Sequence, residues 1–324
     1  MSASKLVTVG VIAYNAEKTI LELLESIEQQ TYSELELIIC DDASTDQTVE
    51  LSKNWLEKHK NRFRRVVLLP NEKNRGISRQ INRMVKFGRG EWVKPIAGDD
   101  VLMPSCIEAF MDAVSRDQMV FKMYKSDEYL IDEQSHIIGD NYYETWRLKR
   151  FIQKTTQGQY DYILRQDINV SATTFFCRKA FVSVGGADIR IRNIEDTPLN
   201  LKFLKNGYRI GYVQKKTVKW RIHNSVSHST DKVYQEEHLK QVRMMKRLYI
   251  YPEISAWKLD YWWDETVQSV MEKTVLRFFN NKKTGAMLMF QTFMYSLMIR
   301  EWRKRINIFF FKLCRSERNT GRFD

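Results

Sequence analysis

The stretch Leu35-Glu36-Leu37-Ile38-Ile39-Cys40-Asp41-Asp42-Ala43-Ser44-Thr45-Asp46 decides the fold. An apolar run stops abruptly in carboxylates and hydroxyls, and an amphipathic run, Thr48 to Lys58, follows. That order reads as a buried strand, a polar loop and a crossover helix. It recurs on both sides. Val7 to Ala13 ends in Tyr14 and Asn15, Arg65 to Leu69 leads into Asn71 to Gly76, and Glu91 to Ile96 leads into Gly98-Asp99-Asp100. Between them, Ala16 to Gln30 carries Ile20, Leu23, Leu24 and Ile27 at i, i+3, i+4, i+7, and Ile77 to Phe87 is similarly amphipathic. Strands that are apolar on both faces belong in a parallel sheet covered by helices, whose ligand crevice lies at the carboxyl ends of the strands. The expected class is α/β, with the polar loops meeting at one edge.

Composition supports a folded chain. Of 324 residues, 43% are hydrophobic and 28% charged, with 13 Gly and 5 Pro, so disordered and collagen-like classes are excluded. From Val101 to Thr217 the pattern is mixed, with a helix from Pro104, strands at Ala172 to Cys177 and Tyr208 to Val213, and a helix from Pro198. After about Ser229 it shifts to long helical segments rich in Trp, Tyr, Phe and Met, which divides the chain into a main domain, 1–230, and a helical extension, 231–324. No internal repeat or low-complexity tract is present. Cys40, Cys106, Cys177 and Cys314 lie far apart without metal-ligand spacing, which points to a reducing compartment. The apolar run Leu6 to Tyr14 has no basic leader or cleavage site and reads as a strand, not a signal peptide. No run reaches the roughly 18 apolar residues of a spanning helix. Gly285 to Ile299 comes nearest and is interrupted by Gln291, Thr292 and Ser296. The expected location is cytoplasmic.

Five polar clusters carry candidate chemistry. Asp99-Asp100, before Val101-Leu102-Met103-Pro104, offers hard oxygen ligands that suit Mg²⁺ or Mn²⁺ held jointly with a diphosphate; a helix cap and a solvated turn residue are the alternative. In Asp41 to Asp46, one carboxylate is placed to accept from a nucleobase or ribose, while Ser44 or Asp46 equally suits a cap. Asn74-Arg75-Gly76 brings a cation that neutralises a diphosphate or stacks on a base, or simply lies in a surface loop. In Glu195-Asp196-Thr197-Pro198, Thr197 suits an N-cap and Pro198 a first helical position, which leaves Asp196 as a candidate general base or a partner of the helix dipole. His223 with Arg221 completes a metal or diphosphate site, or is a surface histidine.

The joint order of these clusters resembles the family 2 inverting glycosyltransferases of the GT-A fold, of the type that builds bacterial surface polysaccharide. Such chains open with a strand ending near an asparagine (Ile12-Ala13-Tyr14-Asn15), continue through Asp-Asp-x-Ser-x-Asp (Asp41 to Asp46) and Asn-x-Gly before a helix (Asn74-Arg75-Gly76, then Ser78 and Asn82). An aspartate four residues before a proline follows (Asp100, Pro104), and later a Glu-Asp pair. Residues 5 to about 230 follow this order. The resemblance implies a GT-A fold, Rossmann-like with a mostly parallel sheet flanked by helices. It implies a nucleotide pocket lined by Ala13, Tyr14, Asn15, Asp41, Asp42, Arg75 and Gly76, with Asp41 against the uracil. It further implies Asp99 on the ribose and, with Asp100 and His223, on Mn²⁺ or Mg²⁺, Glu195 and Arg221 beside the donor, and Asp196 as catalytic base. The implied reaction moves a sugar from a UDP-hexose or UDP-N-acetylhexosamine to a hydroxyl of a glycan or lipid-linked acceptor by metal-assisted single displacement. Three positions depart from the usual pattern: Ala97 where another aspartate is frequent, Gln80-Ile81-Asn82 where Ala-Arg-Asn is usual, and Lys202 where an arginine is common.

Lys and Arg number 52 against 40 Asp and Glu, a net +12. From Arg277 to Asp324 there are 11 Lys and Arg against 3 Asp and Glu, so +8 falls in this last stretch. Phe278, Phe279, Met287, Leu288, Phe290, Phe293, Met294, Leu297 and Met298, followed by Arg300, Arg303, Lys304, Arg305 and Phe309-Phe310-Phe311, combine apolar area with basic residues. That suits peripheral contact of 277–324 with an anionic leaflet on the inner face of the cytoplasmic membrane, packing on the catalytic domain, or a dimer. A nucleic-acid binder is the rival class, but nucleic acid is not expected, because the sheet edge is rich in carboxylates. A nucleotidyltransferase making a nucleotide sugar is the nearer rival, and Ala13-Tyr14-Asn15-Ala16 is not the glycine-rich phosphate loop it needs.

Overall fold

The computed structural model describes residues 5–140, 150–165, 171–222 and 232–302. The chain divides into two compact units, Met1–His223 with Gln241–Tyr249, and Asn224–Lys240 with Ile250–Asp324.

In the first unit, β1 (Val7–Ala13), β2 (Leu35–Asp41), β3 (Arg65–Pro70) and β4 (Trp92–Ala97) pair in parallel in the order β3-β2-β1-β4. Helices α1 (Ile20–Glu28), α2 (Thr48–His59) and α3 (Ile77–Phe87) are the crossovers. Val7, Val9, Val11 and Ala13 of β1 and Leu35, Leu37, Ile38, Ile39 and Cys40 of β2 are buried, as strands covered on both faces must be. Glu36 interrupts the β2 run and is nevertheless fully buried. Its carboxylate accepts from Thr8 Oγ1 (2.5 Å), Arg89 N (2.5 Å) and Gly90 N (2.8 Å), so the charge is hydrogen-bonded rather than stranded.

Beyond β4 the sheet becomes mixed. The path continues through β8 (Phe175–Cys177), β6 (Met123–Ile131), β9 (Ile210–Arg221) and β5 (Val101–Leu102), with β7 (Ile137–Asp140) paired to β6. Only β6 and β9 are parallel neighbours there, and the other pairs are antiparallel. β9 runs well past the expected end at Val213. Its register against β6 jumps from Val213 opposite Ser126 to Lys216 opposite Asp127. Gln214-Lys215-Lys216, which looks like a strand end in sequence, is therefore a bulge within one strand. The short β5 pairs Val101 with Lys219 and Leu102 with Val218, which fastens the segment after Asp100 to the end of β9. Helices α4 (Cys106–Arg116), α5 (Thr156–Ile163), α6 (Arg178–Ser183) and α7 (Asp196–Lys205) accompany this half. α8 (Glu236–Met245) spans the boundary between units, and its last residues belong with the first one. Gln241 Oε1 accepts from Arg192 N at 2.8 Å, and Tyr249 donates to Asp188 Oδ2 at 2.7 Å.

In the second unit, α9 (Leu259–Phe278) and α10 (Gly285–Ser296) share a core of Val267, Met271, Val275, Met287, Met294 and Met298. Thr284 caps α10 by accepting from Met287 N. Phe278, Leu288, Met289 and Phe293 are exposed. Among the described residues no helix is long and apolar enough to cross a membrane. Cys40, Cys106 and Cys177 are free and buried, and Cys314 lies outside the described residues.

Candidate active site

The loops after β1, β2, β3 and β4 are tied into one edge by hydrogen bonds. Asp42 N donates to Ala13 O and Gly98 N to Ile12 O, both at 2.8 Å, and Thr19 Oγ1 donates to Gly98 O at 2.9 Å. Asn15, in the left-handed region at φ 49°, donates its N–H to Ser44 Oγ (2.9 Å) and accepts from Thr45 N on Oδ1 (2.9 Å). It therefore locks the first loop to the second. Ala13 is buried, and Tyr14 beside it is half exposed.

The two adjacent aspartates do different work. Asp41 is buried and accepts from Ser44 through both its backbone N (2.9 Å) and its hydroxyl. Asp42, only 3% exposed, accepts on Oδ1 from Asn71 Nδ2 (2.9 Å), Arg75 N (2.8 Å) and Gln80 Nε2 (2.5 Å), and on Oδ2 from Gly76 N (2.7 Å). Asp42 and Gly76, both expected at the nucleotide, are bonded to each other. Asp42 clamps the Asn74-Arg75-Gly76 loop, and the Gly76 N–H is one of the groups it holds. Gly76 is glycine for another reason as well: φ is +87°, and an added Cβ would lie 2.8 Å from both Cβ and O of Arg192. Gln80, where the family pattern has a different residue, is the buried donor that completes the clamp. Neither Ser44 nor Asp46 is the N-cap of α2, a position held by Gln47; Asp46, one residue earlier, accepts from Thr48 N (3.0 Å) and Glu17 N (3.1 Å). With the loop fixed, Arg75 is exposed, and its guanidinium makes no ion pair among the described residues.

α3 also fixes the segment that leads to the proposed base. Ser78 donates to Ile191 O (2.5 Å), Asn82 donates to Ala187 O (2.8 Å) and accepts from Ala187 N (2.9 Å), and Lys202 donates to Gly186 O (2.7 Å). α7 begins at Asp196, two residues ahead of the expected Pro198, and Thr197 is not its cap. Pro198 still breaks no hydrogen bond, since the first turn of a helix has no intrahelical acceptor for its N–H groups. Asp196 is half-buried at the positive end of that helix. Its Oδ1 accepts from Thr197 N at 2.7 Å. Glu195 is buried and accepts from Ser171 Oγ at 2.5 Å. Both line a cavity of about 10 Å³ with Pro95 and Phe176, among others, which is room for one water.

At the end of β4, Asp99 is half-buried and Asp100 is buried. Burial first, and the charge of Asp99 second, raise the Asp100 carboxyl well above its ordinary range, against the pull of the Arg221 N–H, Lys94 and Arg221. Arg221 N donates to Asp100 Oδ1 at 3.0 Å. The Arg221 side chain is 3% exposed and is a hub. Nε donates to Asp99 O (2.7 Å), Nη1 to Asp132 O (2.8 Å), Glu133 O (3.2 Å) and Ser135 Oγ (3.0 Å), and Nη2 to Glu22 Oε2 (2.5 Å). Every guanidinium nitrogen of Arg221, expected beside the donor, thus has a protein acceptor. Through Asp99 O and Asp100 Oδ1 it positions the Asp99-Asp100 turn. Lys94, fully buried in β4, donates to Pro95 O (3.0 Å) and to Ala172 O. Burial brings its ammonium down to about 8, although Cys106 and Asp100 pull it up. His223 lies outside the described residues. Among those described, no three His, Cys, Asp or Glu converge on a metal position. One accessible carboxylate, with a second beside it, still fits Mg²⁺ or Mn²⁺, which are commonly held by one or two carboxylates plus substrate phosphates.

The family model described as Glycosyl transferase family 2 matches residues 8–182. The glycosyltransferase EpsE of Bacillus subtilis is 28% identical over 215 residues, covering 65% of this chain and 71% of EpsE. Other relatives at 30–33% identity align over 128–142 residues, less than half of their own length. Residues 1–349 of TarS from S. aureus, solved with UDP and also with UDP-GlcNAc, superpose with a TM-score of 0.57 in the UDP complex at 17% identity, covering 94% of this chain and 82% of that one. The mannosyltransferase PcManGT from Pyrobaculum calidifontis, solved with GDP-Man and Mn²⁺, gives 0.52 at 16% identity over 91% and 71%. At such identities the likeness establishes the fold, and it is the expected GT-A fold.

Proposed function

The chain belongs to glycosyl transferase family 2, and from that premise we propose that it is an inverting transferase moving a sugar from a UDP-sugar to an acceptor hydroxyl. The observation that carries the reading is the single edge formed by the four strand-end loops, with exposed Arg75 at one end and the Asp99-Asp100 turn at the other. Tyr14, Asp41 and Arg75 line the nucleotide side. Asp99 is the carboxylate that holds a divalent ion with the donor diphosphate, and Asp100, already bonded to Arg221 N, supports it. When bound, such an ion offsets the negative charge that grows on the departing nucleoside diphosphate. Asp196 takes the proton of the acceptor hydroxyl as that oxygen attacks the anomeric carbon from the face opposite the leaving group. A single displacement inverts the centre.

Support for Asp196 comes from its cavity. It shares that space with Pro95 of β4, the strand whose following turn carries Asp99, and α3 holds the segment before it in place. For the acceptor, the exposed Leu288, Met289 and Phe293 of α10 give the second unit an apolar surface suited to peripheral contact with a membrane carrying a lipid-linked glycan. Assembly of a surface polysaccharide in the cytoplasm is the setting that fits both.

The test is calorimetric titration of the full chain with UDP, GDP and dTDP, with and without Mn²⁺, beside sugar-transfer assays. We expect UDP binding that strengthens with Mn²⁺ and loses that strengthening in Asp99→Ala. Asp196→Asn should retain donor binding and lose about 10² to 10⁴ in turnover. Binding of none of the three nucleotides would refute the donor site, and full turnover in Asp196→Asn would refute the base.

A further inference from the structure

Arg79, Arg83 and Lys86 recur at i, i+4, i+7 on α3 and so share one face. With Arg75 from the preceding loop they line a groove of about 600 Å³, walled by Pro70, Asn71 and Glu72 beyond β3 and by Ile189. The volume is that of a ligand site. Four cations meet one carboxylate there, a net +3. Arg83 is oriented by neutral acceptors, Leu69 O and Asn71 Oδ1 (2.7 and 2.6 Å), and Arg75 and Arg79 make no ion pair among the described residues. Like charges at i, i+4 destabilise a helix, and while Gln80 and Asn82 in the same lining are bonded to Asp42 and Ala187, Arg79 and Lys86 serve neither the clamp nor the Asp196 segment. Phe87 and Ile189 are each two-fifths exposed and give the groove apolar patches. Cations beside apolar patches suit a chain whose rings lie on carbon surface while its anionic groups meet guanidinium and ammonium groups.

We propose that this groove binds a polyanionic stretch of the acceptor, a glycan carrying phosphate or carboxylate groups along its length. The assignment rests on the transferase reading for the word acceptor. The groove itself rests on the lining residues. Its concavity favours a single chain over a flat bilayer. α3 extends over roughly 16 Å, so the groove takes several repeating units and holds a growing polymer beside the donor edge that begins at Arg75.

The probe is inorganic polyphosphate, with neutral dextran of similar length and phosphatidylglycerol vesicles as comparison arms, titrated into the full chain and into Arg79→Glu/Lys86→Glu. Both positions are exposed, and UDP titration checks that the variant is folded. We expect polyphosphate to bind the wild type and to weaken about tenfold in the variant, since each exposed ion contact contributes up to about a factor of five. Dextran should not bind, and vesicle and UDP binding should be unchanged. A polyphosphate loss under twofold, dextran binding equal to polyphosphate, or a vesicle loss equal to the polyphosphate loss would each overturn the groove. A wild type that binds UDP but not polyphosphate overturns the groove alone. One that binds polyphosphate but no UDP overturns the transferase reading and the acceptor assignment with it.

Discussion

Replacing Asp42 by asparagine separates a loop clamp from a nucleotide contact. In the native protein its two oxygens accept from Asn71 Nδ2, Arg75 N, Gln80 Nε2 and Gly76 N, all at 2.5–2.9 Å, with almost no solvent access. Asparagine keeps one oxygen facing three donors and turns an NH₂ group toward the Gly76 N–H. Three charge-assisted bonds then become neutral, at about 1 kcal/mol each, and one is lost with its donor orphaned, at about 1.5–3 kcal/mol. Together this is about 4.5–6 kcal/mol. For a unit of this size 1 kcal/mol corresponds to about 2–4 °C in Tm, so the expected fall is about 9–24 °C. Differential scanning calorimetry reads it, and UDP titration below the transition reads the consequence for the site. Arg75→Ala is the matched control: it should leave Tm within about 1 °C, because the side chain is exposed, while weakening UDP. The clamp is refuted if Asp42→Asn keeps its Tm and loses UDP affinity as Arg75→Ala does, since Asp42 would then touch the nucleotide directly.

Arg221→Met should cost about 3 kcal/mol in urea unfolding, because it removes a buried cation from Glu22 and from four further oxygens, and should weaken the Mn²⁺-dependent part of UDP binding. A variant that loses stability while Mn²⁺ enhancement stays intact would show that the hub does not position the Asp99-Asp100 turn. Lys94 is depressed by burial from 10.5 to about 8, so between those values the unfolded chain binds more protons than the folded one and stability rises with pH. Relative to Lys94→Met, the wild type should gain up to about 3 kcal/mol from pH 8 to 10.5, measured by unfolding at a series of pH values. A flat difference would mean that Lys94 is not buried as a cation.

Much of the parallel half was legible in the sequence. Apolar runs ending in polar loops placed β1 to β4, and α3 was read to its last residue, because strand and helix periodicities are local signals that burial on both faces only reinforces. The order of the loops carried the family. The mixed half was harder: β9 conceals a bulge behind Gln214-Lys215-Lys216, and β5 is only two residues long. A lysine inside Trp92-Val93-Lys94-Pro95-Ile96 was the visible signal of a buried cation, and a glutamine at position 80 that of the clamp's missing donor. Neither has a periodicity that announces a partner elsewhere in the chain.

By itself the sequence determined the succession of strands and crossover helices in the parallel half, the edge at which the polar loops meet and the residue types gathered there, since these follow from short-range pattern. Which carboxylates are held by donors from distant parts of the chain was decided only by tertiary structure. Asp41 and Asp42 are neighbours, as are Asp99 and Asp100, yet burial and hydrogen bonds from residues 29 to 121 positions away give Asp42 and Asp100 distant partners inside the protein. Arg221 shows the same rule with the opposite charge. Its acceptors come from α1, the β4 end and the turn after β6, three places that meet only because β5 and β9 pair. Whether a charged group serves the ligand or the fold depends on which acceptors reach it first, and that is a property of packing.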